Sequence, residues 1–350
     1  MERIAKKLPK TLHYLSYLSV SMGFLGMIAM LYVLLKGAWD ILVVPNAIPV
    51  VSPVLPGISV PGLPTLGFWH WIIAILLVAL IHEASHGIYA RLYNIAVTSS
   101  GFAFLGPILA AFVEPDQQQL EKTSKFKQLS VLSAGPFSNI ITGILFLLII
   151  FFLFAPLGSQ LLETRGVIIT DINSNLPIAE TGIEAGSSIE SLNGKEVIDV
   201  LMFTEILQEF KPGETVTLET ETETYEVELA EQNGRTVLGV NLEAKEWILK
   251  EPYTNYSFLK PLYLWFNILF FWLFTISIGV GLFNLLPLGP VDGGKMFFIL
   301  SKKITKTEKK AKTLYALVSF FCLALIIINL LPFLIKLLKW VFSPFLLLFL

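Results

Sequence analysis

Four times along this chain an almost unbroken apolar run outlasts twenty residues, at about 12–35, 68–93, 129–156 and 258–287. The tail from about 313 to 350 stays apolar for nearly twice that length. About 20 such residues in a helix cross the hydrocarbon core of a bilayer. Backbone polar groups must be satisfied internally there, so runs of this kind become helices. With 54% apolar and only 15% charged residues, the composition points to a polytopic membrane protein rather than a water-soluble one. Pro332, Lys336, Lys339 and Pro344 interrupt the tail. It reads either as one long span plus a re-entrant or interfacial piece, or as two short spans.

Charge placement gives an orientation. Lys and Arg gather in short cytoplasmic loops. Arg3, Lys6, Lys7 and Lys10 precede the first run, while Arg91, Lys122, Lys125 and Lys127 lie between the second and third. Lys295, Lys302, Lys303, Lys306, Lys309, Lys310 and Lys312 follow the fourth. These loops alternate consistently and predict a cytoplasmic N-terminus in a multi-pass cell-membrane protein. No cleavage site follows "MERIAKKLPK", so the first run reads as a retained helix. The single cysteine, Cys322, excludes a disulfide framework and a cysteine metal site. Nothing in the charge pattern suggests nucleic acid as a partner.

One stretch, about 160–250, resembles a water-soluble domain. Its acids outnumber its bases, and the loop placement predicts that it lies outside. "RGVIITDI" is a β-branched run, and "DVLMFTEILQEF" has helical spacing. In "ETVTLETETETYEVEL" the apolar positions are even at Val216 and Leu218, then odd at Tyr225, Val227 and Leu229, which predicts a hairpin turn near Glu221–Glu223. "GIEAGSSIESLNGKEV" resembles the core signature of PDZ domains, which bind extended peptides or C-termini by strand addition. The expected fold is thus a polytopic α-helical membrane protein with an inserted extracytoplasmic α+β PDZ-like domain. Five segments follow: 1–67, a first span and proline-rich outer loop; 68–157, a first part of the membrane core; 158–252, the PDZ-like domain; 253–312, a second part of the core; and 313–350, the C-terminal membrane segment.

The second run ends in "LIHEASHGIYARLYN". His82 and His86 are four apart on a predicted helix and project from one face, with Glu83 beside the first. In the HExxH arrangement two histidines bind Zn²⁺ and the glutamate is the general base on the metal-bound water. A solvated helix face explains many such matches in soluble proteins. Within a membrane span, ionisable side chains are costly and mark function. A third ligand is needed. His70 lies twelve residues earlier, roughly 18 Å along the helix, and His13 stands near the start of the first span with no motif around it, so a carboxylate is favoured. Asp292 stands out in "LFNLLPLGPVDGGKMF", where prolines and glycines break the fourth span. Broken backbone at membrane depth must line protein or a wet cavity. Asp292 reads either as a ligand there or as the cap of the following helix.

With "HEASHG" on one span, "GPVDGG" closing a later one and a PDZ-like insert between them, the chain resembles the site-2 protease family of intramembrane zinc metalloproteases, and archaeal members in particular. "LSAGPFSNIITG" resembles the family's Ala-Gly-Pro-x-x-Asn motif, and "FNLLPLGPVDGG" its Asn-x-x-Pro-x-x-x-x-Asp-Gly motif. The resemblance covers about 65–300. It implies one Zn²⁺ per chain held by His82, His86 and Asp292, with Glu83 as catalytic acid/base. It places Asn139 near the reacting atoms, as a catalytic or substrate-contacting residue, and Asn284 in support of the Asp292 loop. It implies that residues 99–116 form a re-entrant β-hairpin offering an edge to substrate. The implied substrates are single-pass membrane proteins, cut in the span after a prior ectodomain cut. Membrane lipids and a peptide or C-terminus on the PDZ-like domain complete the expected partners. The main alternative is a membrane metal-ion transporter, since intramembrane His, Glu and Asp also mark ion paths. A protease-like scaffold without activity and a prenyl-processing type of HExxH protease are lesser ones.

Overall fold

The computed structural model describes residues 1–44, 47, 49–57, 63–105, 108–232 and 234–346. Parts of the proline-rich segment, residues 106–107, residue 233 and the last four residues therefore lie outside the described residues. The apolar runs form the helices α1 (Pro9–Val43), α2 (Phe68–Leu92), α3 (Lys125–Ile149), α6 (Leu259–Phe283) and α8 (Glu308–Leu346). Between them lie α4 (Ala155–Leu161), α5 (Val200–Leu207) and α7 (Asp292–Thr305). A π-helical turn, Ile150–Phe154, joins α3 to α4. Among the described residues, five helices are long and apolar enough to cross a membrane. The tail is one helix that passes through Pro332 without ending, where the sequence allowed a break.

The chain divides into two compact units, Met1–Phe152 with Phe266–Leu350, and Leu153–Trp265. The first is the helical membrane unit. It contains a hairpin of β1 (Val97–Leu105) and β2 (Ile108–Pro115), paired antiparallel from Leu105↔Ile108 back to Val97↔Pro115. Inside this unit the buried groups include Ser16, Ser19, Ser133, Asn139 and Asn329, while Leu25, Ile28, Phe151 and Phe152 are exposed. Apolar surface outside and hydroxyls inside suit a hydrocarbon solvent. The hydroxyls are satisfied across helices: Ser19 and Ser133 meet at 2.9 Å, and Ser16 meets Tyr93 at 2.8 Å.

The second unit is an antiparallel sheet. Its strands β3 (Leu162–Ile172), β4 (Ser188–Leu192), β5 (Thr215–Thr220), β6 (Thr224–Glu228) and β7 (Val240–Leu249) lie in the order β7-β3-β4-β5-β6, with the short strand Lys195–Glu196 on β4. The phase change in the sequence is the β5–β6 turn, for the register pairs Val216↔Val227 and Leu218↔Tyr225. Asp199 caps α5 by accepting from the Met202 N–H at 2.8 Å. Phe203, Ile206 and Leu207 of that helix close over Val167, Ile169, Leu192, Leu218 and Val227 to make the core. Sheet and helix together form the inserted α+β domain expected from the sequence. Its outer face is rich in glutamate, as water requires.

Candidate metal centre

Nothing breaks the helix propensity of α2 until its last turns, so His82 and His86 are carried on one face. Their Nε2 atoms stand 3.1 Å apart. Asp292 Oδ2 is 3.1 Å from each of them. All three residues are buried and form the one group of possible metal ligands found among the described residues. A tetrahedral centre with bonds of 2.0–2.1 Å has ligand-to-ligand edges of roughly 3.3 Å, close to the observed triangle.

Two hydrogen bonds decide which nitrogens face inward. His86 Nδ1–H donates to the Val131 carbonyl at 2.7 Å, so its Nε2 keeps a lone pair. His82 Nδ1 lies 3.0 Å from the Asn139 amide, while Asn139 Oδ1 is buried with no partner. An amide's orientation is assigned from its hydrogen bonds. Turning Oδ1 towards the ring gives the orphaned oxygen the His82 Nδ1–H and leaves that Nε2 lone pair inward as well. Two lone pairs and a carboxylate oxygen, mutually 3.1 Å apart, repel unless a cation sits among them. The donor set fits a divalent ion, and two neutral imidazoles with one carboxylate suit zinc.

α3 is shaped to these rings. A Cβ at Gly135 would lie 2.4 Å from His86 Nε2 and 2.6 Å from His82 Nε2, so only glycine lets the helix approach. Pro136 follows inside the helix. The Asn139 carbonyl accepts from Ser277 Oγ at 2.8 Å, which ties α3 to α6.

Asp292 is delivered by a fold-back. After α6 the chain turns at Asn284–Val291 and restarts as α7 at Asp292. The Gly293 N–H donates to the Asn284 carbonyl at 2.7 Å. A Cβ on Gly293 would meet the Leu285 carbonyl at 2.3 Å, and one on Gly294 the Leu288 oxygen at 2.0 Å. The "DGG" run therefore permits backbone to lie on backbone. From α8, Tyr315 Oη donates to the Gly289 carbonyl at 2.9 Å and Ser319 Oγ to the Pro287 carbonyl at 3.1 Å. Lys295 Nζ lies 3.8 Å from the other oxygen of Asp292.

Glu83 projects beside the pair, and its Oε2 accepts from the Val113 N–H of β2 at 3.0 Å. Asn284 does not bring its side chain to the triangle. Its Nδ2 donates to the Val280 carbonyl in the last turn of α6 at 3.0 Å, and its contribution is the backbone contact to Gly293. His13 and His70 stand outside the ligand group. Gly135, Val131 and Ser277 were not singled out from the sequence, though Gly135 belongs to the "AGPFSN" run that was.

A groove of about 680 Å³ runs between Val200, Phe203 and Leu207 of α5 and Val240 and Leu242 of β7. β7 ends the sheet order on that side.

A membrane-spanning bundle that joins an HExxH pair to a distant aspartate defines the class of membrane metallopeptidases. The chain belongs to peptidase family M50, whose family model matches residues 70–328. It is also similar to uncharacterized protein MJ0971 of Methanocaldococcus jannaschii, at 32% identity over 230 residues. That match takes in 63% of this chain and 54% of the relative, so the chain spans about half the length of the curated relative it matches. Among solved structures it is similar to the PDZ domain of the SdrC-like protein Lmo2051 from Listeria monocytogenes, with 21% identity, TM-score 0.21, and coverage of 23% of this chain and 90% of that one. The PDZ domain of the SdrC-like protein Lin2157 from Listeria innocua gives 20% identity and TM-score 0.21, covering 23% and 97%.

Proposed function

We propose that this chain is an intramembrane zinc endopeptidase that cuts transmembrane segments of single-pass proteins after a first cut has removed their ectodomain. The observation that carries the reading is the triangle of His82 Nε2, His86 Nε2 and Asp292 Oδ2 with Glu83 alongside. When bound, zinc supplies a water of lowered pKa and polarises the scissile carbonyl. Glu83 takes the water's proton and passes it to the leaving amine, and the Val113 N–H holds its carboxylate in place by one oxygen. Asn139 orients His82 through Nδ1. Gly135 leaves room for both rings, and the Asn284–Gly293 contact sets the reach of Asp292.

A peptide bond inside a helix is hidden by its own hydrogen bonds, so substrate must unwind before attack. Spans weakened by glycine or proline suit this best. β2 faces α2 through the Val113–Glu83 bond, so an extended chain paired along that strand would pass the carboxylate. The basic loops support a cytoplasmic N-terminus and a sheet unit on the outer side. There the α5–β7 groove would take an extended peptide or C-terminus, and the domain would exclude substrates that keep a bulky ectodomain. The ion-transport alternative gains nothing from a peptidase family.

The test is metal analysis of the purified full chain together with cleavage of a single-span substrate in proteoliposomes. Glu83→Gln should keep about one zinc and lose cleavage by about 10²–10⁴-fold, and chelation should silence the wild type until zinc is restored. Equal cleavage by Glu83→Gln would overturn the assignment.

A further inference from the structure

One face of α2 runs on past Glu83. Glu83, Gly87 and Arg91 are four apart and share that face. Glu83 meets β2 through the Val113 N–H at 3.0 Å. One turn further along, a Cβ at Gly87 would lie 2.0 Å from Met1 Sδ and 3.0 Å from Val113 Cγ1. The Met1 thioether therefore fills the gap that the absent side chain leaves between α2 and β2, with Val113 common to both contacts. Another turn on, Arg91 lines a cleft of about 340 Å³ with Glu2, Ala5 and Lys6.

The segment that covers this face is the short helix Glu2–Lys7 with Met1 before it. It docks by one side. Ala5 is only 4% exposed, and its N–H donates to the Met1 carbonyl at 3.1 Å, so Met1 and Ala5 stand one turn apart on the docked side. The other side carries the exposed Lys6–Glu2 pair at 2.7 Å. The hold is light, for Met1 itself keeps 39% exposure. An unbranched thioether adapts to an irregular gap without needing one fixed shape, which suits a contact that is made and broken.

We propose that Met1 and the helix behind it form a movable cap on the Gly87 end of the groove between α2 and β2. The inference rests on the reading of that groove as the path by which an extended substrate passes Glu83. With the cap seated, a strand laid along β2 beside Glu83 meets Met1 one turn further on. The cap must withdraw before such a strand can enter, so the arrangement seen here is the closed one.

The test is the rate at which a water-soluble maleimide labels Val113→Cys in the full chain; Cys322 is buried. Removing residues 2–5 draws the methionine back by one helical turn, about 6 Å, and deletes one acid and one base. Labelling at 113 should then speed up several-fold. Gly87→Ala should act in the same direction with the N-terminal helix intact, because its methyl takes the place of the thioether. Ile95→Cys, at a site 1% exposed, should label slowly in every chain. Cleavage of the single-span substrate, measured with Val113 in place, should rise with the labelling rate. Unchanged labelling at 113 in both variants would overturn the proposal, as would an equal rise at 95, which would mean general loosening. Faster labelling beside a measurable cleavage rate that stays the same would overturn it too. Labelling needs neither zinc nor proteolysis. If it responds as expected while no chain cleaves, wild type included, the peptidase reading fails and the cap stands.

Discussion

The membrane unit and the sheet unit solve opposite solvent problems with the same residue types. In the sheet unit, valines, leucines and isoleucines are interior, and glutamates cover the outside. In the membrane unit, leucines and phenylalanines face outward, and the interior is stitched by Ser16, Ser19, Ser133, Asn139 and Asn329. Burial of apolar area stabilises the sheet unit in water. It does little between helices already surrounded by lipid, where close packing and polar contacts decide. Polar groups near the His82–His86–Asp292 triangle thus hold the unit together and also shape that site.

The sharpest way to break this contrast is Gly135→Ala. Glycine inside a helix costs roughly 0.5–1 kcal/mol relative to alanine, so in an ordinary helix the substitution would stabilise. Here the new methyl would meet both Nε2 atoms at 2.4–2.6 Å. We expect loss of bound zinc and of cleavage in a chain that still folds, read by metal analysis beside thermal unfolding. Full zinc occupancy in this variant would show that α3 does not constrain the rings.

Next in size is the sheet core. Leu218 is fully buried, and Leu218→Ala should cost about 2–5 kcal/mol within its unit. Limited proteolysis of the full chain should cut the sheet unit sooner, with zinc content in the membrane unit unchanged. If zinc falls in step, the two units unfold together.

Asn139→Ala removes the partner of His82 Nδ1. Loss of such an outer partner typically weakens metal affinity about 10–100-fold. Competition with a chromophoric chelator measures it, and Asn139→Asp, which keeps an acceptor for Nδ1–H, should restore most of the affinity. Equal loss in both variants would mean that Asn139 acts through helix packing instead.

These effects differ in how far the sequence could announce them. Apolar runs and period-two alternation report local burial, so the helices and the β5–β6 turn were readable. The i, i+4 spacing placed His82 and His86 on one face for the same local reason. Asp292 lies more than two hundred residues away, and bulk pattern left it between a ligand and a cap; motif resemblance singled it out. Gly135, the Val131 carbonyl, Tyr315 and Ser319 act through contacts between helices distant in the chain. Neither composition nor spacing encodes such contacts. The unbroken α8 has the same origin. Pro332 can persist inside a membrane helix because its neighbours can re-satisfy the freed backbone groups, so a proline that ends helices in water does not end this one.

Asn329 provides the smallest effect and the finest test of the contrast. Its Nδ2 donates to the Leu34 carbonyl at 3.0 Å, joining α8 to α1, and to its own Leu325 carbonyl at 2.8 Å. Its Oδ1 is buried without a partner, which offsets part of what the donated bonds contribute. Hydrogen bonds between membrane helices average about 0.6 kcal/mol, because alternative partners exist in the unfolded membrane state too. Asn329→Leu removes the donor and the orphaned oxygen together and should shift unfolding in detergent by about 1 kcal/mol or less. A buried asparagine in the sheet unit would not behave so mildly, since there the competing partner is water. A loss of several kcal/mol at Asn329 would mean that polar contacts carry far more of the membrane unit's stability than its packing does. The α8 contacts at Gly289 and Pro287 would then become the place to look for coupling between the tail and Asp292.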